Sequence, residues 1–258
     1  MRFMLVICLL CLSAFANAGD IDAKVEAALA AEGRPAADAE RDRNRMPLQT
    51  LKFFGLKDDM RVLELIPGGG WYTRVLAPVL ADNGKLYVAL GTGRVKEGLL
   101  PLPGFDKVEV LETNEDMHRP EGARLYTMNE FDFGVDDLDM VLTFRNVHNF
   151  DEKGRMLMHR ESFEALKSGG VYGIVDHTRR HMERDDNENR RRIDPVLVIK
   201  EVLDDDPVRL ENVVRRRSAG SHDETGALVR DVGLLEPRIL DGPLHRDVVP
   251  GRAVAHEP

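Results

Sequence analysis

Arg61-Val62-Leu63-Glu64-Leu65-Ile66-Pro67-Gly68-Gly69-Gly70-Trp71-Tyr72-Thr73 is the stretch that decides the fold of this 258-residue chain. Its first six residues form a short apolar run bounded by turn signals, which predicts a buried strand. Three glycines follow, and from Trp71 to Leu80 the apolar residues Val75, Leu76, Val79 and Leu80 recur at helical spacing. The order is strand, glycine loop, helix. Working outward, Asp82-Asn83-Gly84 turns into a second strand over Lys85 to Leu90, a third lies at Val108 to Leu111, and a fourth at Leu138 to Phe144. A helix over Asp151 to Leu166 stops at Ser168-Gly169-Gly170, and Val171 to Val175 is a fifth strand. Upstream, residues 20–45 read as one or two exposed helices, interrupted by Pro47. Met46 to Gly55 then carries Leu48, Leu51, Phe53 and Phe54 at helical spacing, with Gly55 as the stop. Strands alternating with helices predict an α/β domain: a doubly wound, mostly parallel sheet with helices on both faces.

The loop itself predicts a ligand. Glycine lets the backbone take positive φ and come close to a bound molecule, and the following helix start offers free N–H groups. In open parallel sheets, ligands sit beyond the carboxyl ends of the strands, where this loop falls. A dinucleotide site needs a third glycine where Thr73 stands, and a phosphate-binding loop would end in Gly-Lys-Ser/Thr; neither pattern is present. An acidic residue four positions before the first glycine, Glu64, instead suits the ammonium group of S-adenosylmethionine. Glu64, Pro67, Gly68, Gly69, Gly70 and Tyr72 are therefore the candidate cofactor residues. A tight turn with no ligand is the other reading of the same loop, and core packing is the other reading of Trp71 and Tyr72.

The block from Val62 to Thr73 resembles the first motif of class I S-adenosylmethionine-dependent methyltransferases, and especially a group of predicted, often exported, methyltransferase-like proteins. Leu142-Thr143-Phe144-Arg145-Asn146-Val147-His148-Asn149 and Leu166-Lys167-Ser168-Gly169-Gly170 through Asp176-His177 resemble the same group. The likeness runs from about residue 35 to about 202 and implies a Rossmann-like fold with methyl-transfer activity. It departs in two places, the second being the tail past residue 202, where the family continues with a helix and aromatic-bearing strands and this sequence does not. Where that superfamily commonly ends its second strand with an acid for the ribose, Leu90-Gly91-Thr92-Gly93-Arg94 has none, and Glu97 is the first available.

In the superfamily's strand order, the fourth and fifth strands end side by side. His148 and Asp176-His177 then face one cavity as the candidate catalytic group, histidine being the usual base near neutral pH. Removing a proton matters if the acceptor is a hydroxyl or amine. Nitrogen and oxygen donors in this trio also permit a metal, but the spacing is not diagnostic and no metal is assigned. Loop-shaping hydrogen bonds are the plain alternative, and Asn146 and Asn149 are ordinary turn residues.

Charge and composition bound the partners. Lys plus Arg number 36 against 45 Asp plus Glu, for a net charge of −9. That excess of acid disfavours nucleic acid or anionic lipid as a general partner. Residues 1–18 carry Arg2 as their only charge, an apolar stretch from Phe3 to Phe15, and Ala16-Asn17-Ala18. This is the layout of a secretory signal peptide, with a short N-terminal anchor as the alternative. Cys8 and Cys11 both lie inside it, so the mature chain would hold no cysteine, carry a net charge of −10 and reside in the periplasm or outside the cell. No stable membrane insertion is expected after cleavage, and oligomeric state is not readable.

The expected organisation is a signal peptide over 1–18, an α/β domain over 19–202, and an atypical tail over 203–258. Arg179 to Arg192 packs six Arg and four acids into a solvated helix or loop containing His181, and Ile193 to Val202 reads as an amphipathic helix. Tyr172 is the last aromatic of the chain.

The leading function is methyl transfer to a small-molecule acceptor. A non-catalytic, exported binding protein is the runner-up, because the methyl donor is made in the cytosol; a degenerate product is the third reading. No aromatic follows Tyr172 and the family likeness stops near residue 202, which together predict a reading frame displaced near residue 202. Translating the gene in its other two frames should reveal a Phe-rich strand ending, and finding none in either frame rejects the displacement.

Overall fold

The computed structural model describes residues 21–204; the expected signal peptide and the chain from 205 onward lie outside the described residues. Four helices come first: α1 (Ile21–Leu29), α2 (Ala36–Ala39), α3 (Asp42–Arg45) and α4 (Pro47–Phe54). Pro47 does more than interrupt. It opens α4 at a position where its missing N–H costs nothing. Gly55 ends α4 in the left-handed region, φ 76°, as its sequence position predicts.

The strand–loop–helix core follows as β1 (Arg61–Leu65) and α5 (Thr73–Leu80), then β2 (Lys85–Ala89), α6 (Gly93–Gly98) and a short β3 (Glu109–Val110). After a long irregular excursion come β4 (Leu138–Phe144), a 3-10 turn at Val147–Asn149, α7 (Glu152–Ala165), β5 (Leu166–Val175) and α8 (Pro195–Asp204). All strand pairs are parallel, and the sheet runs β3-β2-β1-β4-β5. This is the doubly wound order, with its switch point between β1 and β4.

Two apolar cores cover the two faces. Successive strand residues point to opposite sides, so Leu63 and Leu65 enter one core with Val141, Leu157, Met158 and Val198, while Val62 enters the other with Leu51, Val75, Leu76 and Met140. Helices α1, α4 and α5 pack on the second face; α7 and α8 pack on the first. Between β3 and β4 no helix forms among residues 112–137. Met128, Phe131 and Phe133 from that excursion fill the first core instead.

Two further features have local causes. β5 begins at Leu166 rather than Val171, because Leu166 pairs with Leu138 and Val171 with Met140, the residues between them bulging out of register. Gly169, at φ 78°, makes the bulge possible. Of the helix or loop expected over residues 179–192 the chain takes the loop, a run of turns held by Asn189, whose side chain donates to the Arg184 carbonyl, and by Ile193 N–H on the His177 carbonyl. Within the described residues no helix is long and apolar enough to cross a membrane.

A buried polar chain joins α7, β5 and α8. Arg155 Nε and Nη2 grip Glu201 at 2.8 and 2.5 Å, and Nη1 donates to the Phe150 carbonyl at 2.7 Å. His159 is fully buried, its Nδ1 lies 3.2 Å from Tyr172 Oη, and its Nε2 makes no hydrogen bond, with Glu201 Oε2 3.9 Å away. Burial, then the Arg155 charge, pushes the His159 imidazole down to about 3. The unfolded chain takes up that proton near the ordinary histidine value while the folded chain refuses it. Stability is therefore complete above the ordinary value and is lost as pH falls below it. Urea titrations at pH 7 and pH 5 should show the change in stability from pH 7 to pH 5 to be less favourable in the wild type than in His159→Gln, by on the order of 2 kcal/mol; equal changes in both chains would contradict this.

Candidate functional site

The site grows from the carboxyl ends of three neighbouring strands. β1, β2 and β4 each leave the sheet through a residue in the left-handed region: Ile66 at φ 53°, Leu90 at 62° and Arg145 at 63°. For non-glycine residues such conformations cost about 1–3 kcal/mol each and cluster where function holds them. A β-branched residue at positive φ, as at Ile66, is the strongest outlier of the three.

The glycine loop follows Ile66. Gly68 and Gly70 take φ 59° and 79°. Gly70 N–H donates to the Pro67 carbonyl at 2.9 Å, closing the turn and leaving the amides of Gly68 and Gly69 outside it. Pro67 is buried and Gly69 exposed. A Cβ on Gly68 would meet nothing within 4 Å, whereas one on Gly70 would lie 2.4 Å from Leu99 Cδ2. Gly68 and Gly69 thus form the open lip of the loop, and Gly70 is the closed, packed side.

Glu64 lies beneath this lip. It points to the α5 side of the sheet, is 3% exposed, and accepts a 2.6 Å hydrogen bond from Thr73 Oγ1. Burial pushes its carboxyl up to about 7, opposed by the Thr73 hydrogen bond and the Arg45 charge. Tyr72 is also buried and stacks on Phe144, centroids 3.4 Å apart and planes 9° from parallel. Its contacts are those of a core residue at the edge of the loop, and burial raises its hydroxyl to about 12.

The β4 and β5 ends meet as their order requires. Asp176 Oδ1 lies 2.6 Å from His148 Nδ1 and accepts from His177 N–H at 2.7 Å; its Oδ2 accepts from His148 N–H at 3.1 Å. The carboxylate fixes the ring of His148 through Nδ1 and leaves Nε2 as the ring nitrogen outside this pair. His177 contributes its amide to this cradle, while burial, then the Arg145 charge, lowers its imidazole pKa. No group of three or more His, Asp or Glu among the described residues is arranged to hold a metal ion. His181 stands apart, half exposed, with Nδ1 2.9 Å from Asp194 Oδ2.

Several residues at the site escape the sequence reading. Asn146 Nδ2 donates to the Ile66 carbonyl at 3.2 Å, tying the histidine turn to the glycine loop. Arg45 of α3 lies over the Trp71 ring, 4.4 Å from its centroid, and over Tyr72 at 5.6 Å. At the β2 end, Arg94 rests against Gly69, its Nη2 3.3 Å from where a Cβ would sit, and Met117 Cε covers Gly91. Only Asn146 had a sequence signal, its place in the Arg-Asn-Val-His-Asn block.

The chain matches no protein-family model and no curated protein. Solved structures similar to it include a SAM dependent methyltransferase from Aquifex aeolicus, at 19% identity over 71% of this chain and 87% of that one, TM-score 0.48. An arsenic(III) S-adenosylmethionine methyltransferase from Chlamydomonas reinhardtii is 16% identical over 70% of this chain and 61% of that one, TM-score 0.43. A cyclopropane-fatty-acyl-phospholipid synthase-like protein from Lactobacillus casei is 14% identical over 71% and 75% of the two chains, TM-score 0.45. The architecture of this chain, a five-stranded parallel sheet wrapped by helices, is Rossmann-like.

Glu64 has a testable consequence. Its folded-state pKa lies above the unfolded value, so the folded chain holds a proton that the unfolded chain releases. Stability falls as pH rises from the ordinary glutamate value to about 7. Glu64→Gln keeps the Thr73 hydrogen bond and should remove a decline on the order of 2 kcal/mol between pH 5 and pH 8. Denaturant melts of His159→Gln and of His159→Gln with Glu64→Gln, at both pH values, check it; a His159→Gln chain at least as stable at pH 8 as at pH 5 would reject it.

Proposed function

We propose that the chain transfers a methyl group from S-adenosylmethionine to a small-molecule acceptor in the periplasm or outside the cell. One observation carries the reading: the open glycine lip after β1 and the oriented His148–Asp176 pair stand at adjacent strand ends, joined by Asn146. The donor's sulfonium supplies an already activated methyl, so the protein's tasks are alignment and proton removal.

The loop fits the methionine end of such a donor. Gly68 and Gly69 offer two amides that the backbone hydrogen bond closing the turn leaves unused. Glu64, buried behind them with its pKa raised, gains its charged form when a ligand ammonium comes near. Glu64 thereby couples the loop to the ligand's charge, and Thr73 holds the carboxylate in place. The β2 end fits the ribose less well, since Arg94 and Met117 stand there without an acid. On the acceptor side, Asp176 holds His148 Nδ1 so that Nε2 accepts the proton of a hydroxyl or amine. His177 N–H keeps Asp176 from turning away.

The β2 end also favours a second reading, an exported small-molecule-binding protein on the same fold without catalysis. Calorimetric titration of the purified chain with S-adenosylmethionine separates the two. Saturable binding below about 1 mM is expected, weakened at least tenfold in Glu64→Gln and unchanged in His148→Ala. Absence of any heat or fluorescence change at millimolar donor removes the enzymatic reading and leaves the binding one.

A further inference from the structure

The rim of the His148–Asp176 cleft is built from arginines with no carboxylate of their own. Arg145 leaves β4, its N–H donating to the Val175 carbonyl at 2.6 Å, two residues before His177. Arg192 reaches back to the same strand end, Nη1 donating to the Thr178 carbonyl at 3.1 Å, while its neighbour Ile193 bonds the His177 carbonyl. Arg45 flanks the glycine-loop side, over Trp71, and its Nε is buried without an acceptor. Among the described residues, ion pairs engage Arg34, Arg74, Arg124, Arg155, Arg160 and Arg179, and none includes Arg45, Arg145 or Arg192. This happens in a chain with more acids than bases.

The charges of these groups reach one another. Arg145 and Arg192 both disfavour the protonated form of His177, and Arg145 disfavours the charge on Arg45. Asp176 is the carboxylate that acts on His177 together with Arg145 and Arg192, and both its oxygens are already bonded to His148 and His177, while Asp38 and Glu64 act on Arg45 from the glycine-loop side. At the β4 and β5 ends the rim therefore carries positive charge, on Arg145 and Arg192, that no ion pair among the described residues neutralises. A cationic donor bound at the glycine lip would add to it, so the remaining ligand is the natural source of compensation.

We propose that the acceptor carries an oxyanion, a carboxylate or a phosphate, gripped by Arg145 and Arg192 beside His148 with Arg45 closing the glycine-loop side. A guanidinium fork matches such groups in a bidentate way that an ammonium does not. The inference rests on the reading of this cleft as the acceptor site. It narrows the acceptor to anionic small molecules, and it makes Arg145 and Arg192 the residues that select it.

The test uses the purified full chain at constant ionic strength. Inorganic phosphate and succinate are titrated separately, by calorimetry and by the proton NMR signals of His177 and His148. Saturable binding of at least one probe is expected, with the His177 pKa rising as the anion neutralises its neighbours. Arg145→Gln and Arg192→Gln should each weaken that binding at least tenfold, whereas Arg191→Gln, an exposed neighbour, should not. The probe that binds tells carboxylate from phosphate. No saturable binding of either probe, equal affinity in Arg145→Gln, Arg192→Gln and wild type, or an equal loss in Arg191→Gln would each overturn the proposal. S-adenosylmethionine is titrated in parallel. A chain that binds the donor but neither anion rejects this inference alone. One that binds an anion through these arginines but not the donor supports it as an anion site and rejects methyl transfer.

Discussion

Because β1 is hydrogen-bonded on both sides, by β2 and by β4, it has no free edge and no solvated face. Its chemistry can be done only at its end. The chain must therefore leave the sheet abruptly, which places Ile66 at φ 53° and requires glycines to complete the turn. The same geometry recurs at Leu90 and Arg145 on the flanking strands. Three strained exits side by side make a cleft along the carboxyl edge, and the parallel direction of all five strands puts every exit on that one edge.

Electrostatics divide the cleft into two parts. Beneath the glycine lip is a buried acid, Glu64, that gives up its charge to desolvation and regains it beside a cation. Along the β4 and β5 ends, the one carboxylate is spent on orienting His148, and arginines dominate the rim. A ligand pair with a positive centre near Glu64 and a negative group near Arg145 satisfies both halves. Away from the cleft, the Arg155–Glu201 pair and the neutral His159 bind α8 to α7 and β5. The polar interior thus has a structural part as well as a site part.

Much of the architecture was legible in sequence because fully buried parallel strands are short apolar runs between turns. Val62 to Leu65 and Leu138 to Phe144 show this plainly, and α7 is announced by Asp151, whose side chain caps it through Gly154 N–H. The glycine loop and the meeting of His148 with Asp176 follow from the strand order. The excursion over 112–137 was not legible, since Met128, Phe131 and Phe133 reach the core from irregular backbone that has no period to detect. The bulge that lengthens β5 was equally hidden, because register depends on the partner strand.

What the amino-acid order alone determined is which segments are strands, where the chain turns sharply, and which chemistry-bearing residues stand at strand ends. Those are local properties, set by side-chain periodicity and by the conformational freedom of glycine. Tertiary structure alone decided that Glu64 is buried and bonded to Thr73, that Arg45 comes from a distant helix to lie on Trp71, and that the charges of Arg145 and Arg192 reach His177. Charge, burial and pKa depend on neighbours brought from afar in the chain, and no local pattern encodes those neighbours.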